Sequence, residues 1–279
     1  MKRVVIAGSG GKLGTSFVQA LNHCEILQLG RHDVHGAHFI DTLEGILSFS
    51  PDLVVNCAAD TDVEGAQDNV DRAYAANALI PELLGQAANR SGAFCVHFSS
   101  TGCYGKQHEK PYTDFEPLVP TTVHHQSKKA GEEAIRATSA EVLILRLGWL
   151  FGGSPLHKDF VRARLMDAAG KNQINADPYQ IGNPTFVPDV VEQTLRLVQR
   201  RITGTFNCVN PEPISRLDFV REIFKAARVN IEVLPRRFDR KAPVSMNESA
   251  VNRKLNMLGL NSMGSWEIGL AGFLREISA

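Results

Sequence analysis

Short apolar runs alternate with amphipathic segments through the first half of the chain. The runs are RVVIAG, EILQLG, DLVVNCAA, AFCVHFSS and EVLILRLGWLFG. Runs that are nearly continuous, rather than alternating with polar residues, are typical of strands in a parallel sheet that is buried on both faces. Segments with helical spacing lie between them, namely KLGTSFVQALN, NVDRAYAANALIPELLGQAAN and QSKKAGEEAIRAT. The alternation predicts an α/β fold with a Rossmann-type, doubly wound parallel sheet.

This alternation stops after Gly152. DFVRARLMDAAG predicts a helix that ends at Gly170, and QINADPYQIGNPTFVPD, rich in Pro, Asn and Gly, predicts a loop at the mouth of a pocket. VVEQTLRLVQRR and GTFNCVN predict a further helix and strand, and the pattern is then mostly helical. We therefore expect a Rossmann domain over residues 1–152 and about 186–210, and a smaller, mostly helical lobe over 153–185 and 211–279.

The charge balance argues against several classes of partner. The chain has 30 Lys and Arg against 30 Asp and Glu, so its formal net charge is zero. A balanced charge argues against nucleic-acid binding and against binding to a membrane surface. No apolar run is long enough to span a bilayer, and the run Val4 to Ala7 fits a buried first strand better than a signal peptide. We expect a cytoplasmic protein.

Cysteine and histidine spacing predicts neither disulfides nor a metal site. The five cysteines are scattered, odd in number and free of any Cys-x-x-Cys pair, so we interpret them as buried thiols in a reducing compartment. The nine histidines show no His-x-x-x-His pair beside an acidic residue. His124 and His125 are too close in sequence to share one helix face.

Glycines follow the first predicted strand and open the first predicted helix. VVIAGSGGKLGTSF places Gly8, Gly11 and Gly14 at intervals of three residues, and Gly10 adds further backbone freedom. Glycine permits a tight turn, lets backbone N–H groups approach a pyrophosphate and allows close helix packing. A plain strand-to-helix turn is the alternative. The position inside a strand–helix–strand rhythm favours dinucleotide binding.

The end of the second predicted strand bears on the choice of dinucleotide. In ILQLGRHD the strand ends at Gly30 and the next residue is Arg31. An arginine here suits the 2′-phosphate of NADP, whereas an acid suits the ribose hydroxyls of NAD. Asp33 follows close behind, so NAD stays an alternative, and Arg31 could instead be a solvated loop residue. The sequence favours NADP.

Several motifs, in chain order, resemble those of one family. GSGGKLG resembles its glycine turn, PDLVVNCAADTDVEGAQ its third-strand motif, and HFSSTGCYG the end of its next strand. SKKAGEE, LRLGWLFG and YQIGNPT are similar to its active-site helix, its Leu-Arg-x-x-Trp strand and its Gln-x-Gly-x-Pro-Thr loop. The chain thus resembles the extended short-chain dehydrogenases/reductases, and most of all the dTDP-4-dehydrorhamnose reductase family, nearly end to end.

The resemblance implies a catalytic set with one departure. The family's catalytic Ser/Thr falls on Ser100 and its lysine on Lys128, but His124 stands where the family has its catalytic tyrosine. A hydroxyl such as that of Ser100 can hold the substrate carbonyl, and a lysine can fix the nicotinamide ribose and favour proton release from its neighbour. Ser100 could instead cap a turn.

The resemblance also implies residues around the cofactor and the sugar. The cofactor-binding residues expected from it and from the glycine turn are Gly8, Gly10, Gly11, Lys12, Leu13, Gly14, Arg31, Cys57, Ala58, Ala59 and Lys128. Val63, Thr101 and Trp149 are implied to face the sugar, although Trp149 could be a core residue. Trp149 lies at the carboxyl end of a predicted parallel strand, which favours the functional interpretation.

The departures leave two interpretations. STGCYG lacks the family's Asp-Tyr pair, and Tyr179 stands where the family has an acid. The preferred interpretation is an NADP-dependent reductase of a keto-deoxysugar nucleotide, in which His124 or a water that it positions gives the proton. The alternative is a catalytically silent, NADP-binding regulatory subunit, a role that this scaffold has in the regulatory beta subunit of methionine adenosyltransferase. Epimerase and dehydratase chemistry normally needs the missing tyrosine, and a homodimer stays open.

LPRRFDRK is a basic segment around one aromatic residue. Arg236, Arg237, Arg240 and Lys241 surround Phe238. Arginine forks suit a diphosphate, and an aromatic ring could stack on a nucleotide base. The alternative is a solvated loop.

Overall fold

The computed structural model describes residues 1–30, 32–33, 38–154 and 157–278. The strands are β1 (Arg3–Ala7), β2 (Glu25–Leu29), β3 (Leu53–Asn56), β4 (Phe94–Ser100), β5 (Val142–Leu147), β6 (Trp149–Phe151), β7 (Gln173–Ala176), β8 (Ile181–Gly182), β9 (Pro184–Phe186), β10 (Gly204–Cys208), β11 (Ile214–Ser215) and β12 (Glu232–Pro235). The helices are α1 (Lys12–Ala20), α2 (Phe39–Phe49), α3 (Val70–Tyr74), α4 (Ile80–Ser91), α5 (Val123–Thr138), α6 (Phe160–Ala168), α7 (Val187–Gln199), α8 (Arg216–Ala227), α9 (Arg253–Met257) and α10 (Trp266–Ser278). A π-helical turn, Ala75–Leu79, joins α3 to α4, and 3₁₀ turns span Gly65–Gln67 and Thr101–Tyr104.

Six strands form one parallel sheet in the order β10-β5-β4-β3-β1-β2. The strand order reverses beside β1, where sheets of this kind bind ligands outside the carboxyl ends of their strands. Five of the six strands lie in the five apolar runs, and β10 lies in GTFNCVN, which was also predicted to be a strand. The predicted doubly wound α/β fold is therefore confirmed.

Both faces of the sheet are buried, as β1 shows. Val4 and Ile6 belong to a buried cluster with apolar residues of α1 and α7. Val5 and Ala7 belong to a second cluster with residues of α2, α4 and α5. Helices therefore cover the two faces, which is why the strand sequences are apolar at consecutive positions.

The last predicted run of the first half, EVLILRLGWLFG, forms two strands rather than one. β5 stays in the main sheet, whereas β6 leaves it after Gly148 and pairs with β9. A Cβ at Gly148 would lie 2.4 Å from the carbonyl oxygen of Asn183 and 2.5 Å from Thr185 Oγ1, so glycine alone permits this approach. The break carries Trp149 out of the sheet at the edge where ligands bind.

The smaller lobe contains short strands that the sequence pattern missed. The segment predicted as a loop after α6 contains β7, β8 and β9. β7 pairs with β12 in parallel, and β8 pairs with β11 in the antiparallel sense. Strands of two to four residues are too short to give a periodic pattern, which explains the miss.

Aromatic packing holds the helices of this lobe together. Phe151, Phe219, Trp266 and Phe273 are buried in one cluster that joins β6, α8 and α10. The division into two domains at the expected residues stays a prediction. None of the described helices is both long and apolar enough to cross a membrane.

Candidate active site

The glycine turn after β1 is closed by contacts that only glycine allows. Gly8 has a φ of 72°, and its N–H donates to the carbonyl oxygen of Leu29 at 2.7 Å. A Cβ at Gly8 would lie 2.6 Å from the nitrogen of Ala58, and one at Gly14 would lie 2.2 Å from the carbonyl oxygen of Gly8. β1, α1 and the end of β3 therefore meet without side chains between them.

The open side of this turn suits an anion. A Cβ at Gly10 would have no heavy atom within 4 Å, so the backbone there can be approached from outside. Gly11 precedes α1 and provides no side-chain cap for it. The first N–H groups of a helix point outward and favour negative charge, so this end of α1 can hold a pyrophosphate.

The side chains of Lys12 and Leu13 both have partners within the protein. Lys12 Nζ lies 2.5 Å from Asp159 Oδ2, and that carboxylate also accepts from the N–H of Gly152. The Leu13 side chain is buried in the core below the sheet. A cofactor contact at these two positions would come from the backbone. The sequence reasoning missed Asp159, which lies far along the chain and also caps α6.

The end of β3 is held by a buried amide. Asn56 Oδ1 accepts from the N–H of Ala58 at 3.0 Å, and Asn56 Nδ2 lies 3.0 Å from His97 Nδ1. This fixes Cys57, Ala58 and Ala59 beside the glycine turn. Burial raises the pKa of the Cys57 thiol, so the thiol is neutral.

Arg31, the residue from which NADP was predicted, lies outside the described residues. Its neighbour Asp33 is engaged locally, because Asp33 Oδ2 accepts from the N–H of Gly30 at 2.7 Å. That carboxylate therefore closes the turn after β2.

Lys128 contacts the carboxyl-terminal part of β4, the strand that ends at Ser100. Lys128 is buried on α5, and its Nζ donates to the carbonyl oxygen of Phe98 at 2.6 Å. Ser100 lies two residues further along the same strand, and its Oγ accepts from the N–H of Gly102 at 3.1 Å. Ser100 thus caps the following 3₁₀ turn, which also fixes its hydroxyl. Burial lowers the pKa of Lys128 to about 8.

His124 lies one helical turn before Lys128 and is buried. Its ring centroid is 4.9 Å from that of His125, and its buried Nδ1 has no hydrogen-bond partner in the described part of the chain. Burial, together with the smaller effects of His125 and Lys128, lowers the pKa of His124 to about 3. The imidazole is therefore neutral at physiological pH.

Neither Tyr104 nor Tyr112 takes the place of the family's tyrosine. The Tyr104 hydroxyl accepts from Arg146 Nη1 at 3.0 Å and donates to Asn207 Oδ1 at 2.8 Å. The Tyr112 hydroxyl donates to the carbonyl oxygen of Gly105 at 2.9 Å. Both phenols are fully buried and hold loops together, so neither of them replaces the catalytic phenol that the family has at the position of His124.

The residues expected around the sugar have different surroundings. Thr101 is buried, and its Oγ1 donates to the carbonyl oxygen of Leu147 at 3.4 Å. Val63 lies partly buried in the loop after β3. Trp149 is partly exposed, and its Nε1 donates to Glu248 Oε2 at 2.8 Å. Sequence reasoning missed Glu248, which lies about a hundred residues away and in no recognisable motif.

Asn77 is a third residue that the sequence reasoning missed. It lies in the π-helical turn between α3 and α4, where its Oδ1 accepts from the N–H of Asp60 at 2.9 Å. Its Nδ2 donates to Ser127 Oγ at 2.9 Å, and Ser127 Oγ donates to the carbonyl oxygen of His124 at 2.7 Å. Asn77 therefore ties the loop after β3 to the helix of Lys128. A buried asparagine inside a helical pattern was the available signal.

Part of the basic segment LPRRFDRK is used in ion pairs. Arg240 Nε lies 2.7 Å from Glu64 Oε1, and Lys241 pairs with Asp68. Arg237 lies over the Tyr179 ring and, with Phe238 and Arg240, lines a cavity of about 250 Å³. A diphosphate at this segment stays a prediction.

Comparisons with known proteins agree with the motifs. The family model of the RmlD substrate binding domain matches residues 1–279. A dTDP-4-dehydrorhamnose reductase of Mycobacterium tuberculosis is 32% identical over 97% of this chain and 91% of its own. The spore coat polysaccharide biosynthesis protein SpsK of Bacillus subtilis is 27% identical over 100% of this chain and 99% of its own.

A solved structure has the same fold over almost the whole chain. It is the dTDP-4-dehydrorhamnose reductase of Bacillus anthracis in complex with NADP, with a TM-score of 0.94 and 26% identity. The match covers 99% of this chain and 100% of that one. The resemblance stated from the sequence is confirmed.

Proposed function

The chain belongs to the RmlD substrate binding domain family, and we propose that it is an NADP-dependent oxidoreductase that reduces a keto-deoxysugar nucleotide. Reductases of this name at 32% identity, and one in complex with NADP at 26%, support the reaction class and the cofactor. The observation that carries the proposal is that Lys128, from α5, bonds the carbonyl oxygen of Phe98 near the carboxyl end of β4, the strand that ends at Ser100.

The residues at the glycine turn fit a dinucleotide. The open backbone at Gly10 and the uncapped start of α1 provide N–H donors for its pyrophosphate, while Ala58 keeps the opposite wall small. Bound NADPH supplies a hydride. Lys128, with a pKa of about 8, is mostly charged at neutral pH and can hold the nicotinamide ribose while it bonds Phe98.

Ser100 and His124 take different parts in the carbonyl reduction. The Ser100 hydroxyl, already fixed by the N–H of Gly102, holds the carbonyl oxygen of the sugar. A proton must then reach that oxygen, and His124 is the titratable group at the family's tyrosine position. Because its pKa is about 3, only about one imidazole in ten thousand is charged at pH 7. We infer slow turnover that depends on this small fraction.

The second candidate is a silent NADP-binding regulatory subunit. The same lowered pKa of His124 favours it, since a neutral buried imidazole is a poor proton donor. Under this interpretation His124 is a polar wall of the pocket. The two candidates differ in turnover and agree on cofactor binding.

Purified protein should be offered NADPH with a panel of 4-keto-6-deoxysugar nucleotides, and NADPH oxidation should be followed by absorbance. Oxidation that depends on the sugar nucleotide supports the reductase. NADPH binding by calorimetry without oxidation at any pH supports the regulatory subunit instead. A protein that binds no NADPH contradicts both.

A further inference from the structure

Arg216 lies flat against the tryptophan expected to face the sugar. It is the first residue of α8, and its guanidinium carbon is 3.4 Å from the ring centroid of Trp149 and 4.8 Å from that of Phe160. Its backbone N–H donates to the carbonyl oxygen of Gln180 at 2.9 Å. The two rings and the helix start fix the position of the guanidinium beside the proposed sugar site.

The positive charge of Arg216 lacks a partner of its own. Neighbouring arginines of the lobe are paired, Arg164 with Asp167 and Arg221 with Asp218, whereas Arg216 forms no ion pair within the described ranges. Burial lowers the pKa of the Arg216 guanidinium to about 9, against the opposing effect of Glu248. A partly buried cation of this kind gains by meeting an anion.

The carboxylate that acts most strongly on the charge of Arg216 is already hydrogen-bonded. Glu248 Oε2 accepts from Trp149 Nε1 at 2.8 Å and from Gln180 Nε2 at 3.3 Å. Gln180 also lines the cavity that contains Arg237 and Arg240. The lining of this cavity carries both signs of charge, since Asp177 and Asp239 line it together with the two arginines.

We propose that Arg216 determines substrate specificity by binding an oxyanion that the substrate carries beside its sugar ring. This inference rests on the proposed nucleotide-sugar function. The guanidinium fork matches two oxygens of a carboxylate or a phosphate. Two parts of a nucleotide sugar offer that chemistry, namely a carboxylate on the sugar and the phosphate attached to it.

The test compares nucleotide ligands with and without a sugar and with and without a sugar carboxylate. Calorimetry should measure the affinities of UDP, dTDP, UDP-glucose, dTDP-glucose and UDP-glucuronic acid for wild type, Arg216→Gln and Arg216→Lys. Arg221→Gln is the matched control, because it removes the same charge from the exposed side of the same helix. We expect Arg216→Gln to weaken binding roughly tenfold to a hundredfold and the control to leave it unchanged.

The pattern of loss identifies the oxyanion. An equal loss for all five ligands assigns the contact to a phosphate, and a loss confined to UDP-glucuronic acid assigns it to a sugar carboxylate. Arg216→Lys keeps the charge without the fork, so we expect it to recover part of the affinity. Unchanged affinities in Arg216→Gln with an unchanged melting temperature would overturn the inference.

Two further outcomes separate the inference from the proposed function. If Arg216→Gln fails to fold, Arg216→Lys decides, because a lysine that binds every ligand as the wild type does contradicts recognition by the fork. If wild-type protein binds none of the five ligands, the proposed nucleotide-sugar function fails first, and the inference fails with it.

Discussion

A fall from about pH 7.5 to about pH 5.5 should raise the rate of NADPH oxidation about a hundredfold if charged His124 donates the proton. The perturbation is the pH alone, and the responding group is the buried imidazole with its pKa of about 3. Above its pKa, the charged fraction of a base falls tenfold with each pH unit. The whole window lies above that pKa, so the logarithm of the rate should rise linearly as pH falls, with no plateau.

Lys128 does not distort this slope. Its pKa is about 8, so it remains mostly charged throughout the window and holds the cofactor equally well at both ends. A change in Lys128 would appear above the window, where the ammonium loses its proton.

The assay is single-turnover oxidation of NADPH with a saturating keto-deoxysugar nucleotide. His124→Ala should be slow and independent of pH, whereas His124→Tyr should be faster and also independent of pH, since a phenol stays protonated below its pKa of about 10. The exposed His23→Ala is the control and should keep the wild-type slope. A flat wild-type profile, or a plateau beginning near pH 6.5, would refute donation by charged His124.

Acid also destabilises the fold, which sets a limit on the assay. Burial holds the pKa values of His97, His124 and His125 below the unfolded value of 6.5. The unfolded chain therefore binds more protons below that value, and stability falls as pH falls through it. At pH 5.5 His124 and His125 together cost about 3 kcal/mol relative to pH 7.5, and His97 acts in the same direction. Melting temperatures at each pH show whether the protein stays folded.

Three further predictions concern the cofactor. Lys128→Met should weaken NADPH binding about tenfold or more, because it removes a buried ammonium, while the exposed Lys129→Met should not. If calorimetry gives the two variants equal affinities for NADPH, Lys128 is excluded from the cofactor site. Gly14→Ala should lower the melting temperature by several degrees, since its Cβ would overlap a carbonyl oxygen. Gly10→Ala should fold normally and weaken NADPH binding. A lower melting temperature for Gly10→Ala than for Gly14→Ala would contradict the described turn. Arg31→Ala should reduce the preference for NADPH over NADH about tenfold to a hundredfold, and an unchanged ratio would remove Arg31 from cofactor choice.

The sheet could be predicted from the sequence because burial on both faces leaves a strong signal. Val4 to Ala7 are all apolar, since alternate residues pack against different helices. Short strands such as β7 and β12 have no such signal, because their register depends on a partner segment about sixty residues away. The sequence pattern did not show where β5 ends, because Trp149 to Phe151 are apolar as well. Only the close approach at Gly148 separates β5 from β6.

The candidate site was predicted where local sequence and sheet topology coincide. Ser100 ends β4 and Ala58 lies two residues after β3, and the carboxyl ends of these parallel strands lie at one edge of the sheet. Asn77, Glu248 and Arg216 were not foreseen, because tertiary packing alone brings them to that edge. Asn77 reaches that edge through the π-helical turn, whereas Glu248 and Arg216 reach it through the lobe that covers Trp149.

The π-helical turn at Asn77 makes the residue count between α3 and α4 part of the site. Each residue in an α-helix turns the chain by about 100°, so one residue more or fewer would point every earlier side chain of α3 in a new direction. Asn77 would then lose either Asp60 or Ser127, the two partners that it now joins. We therefore expect substitutions on the exposed side of these helices to be tolerated, and the insertion or deletion of one residue not to be tolerated. The length of this segment is under a stricter constraint than the identity of most of its residues.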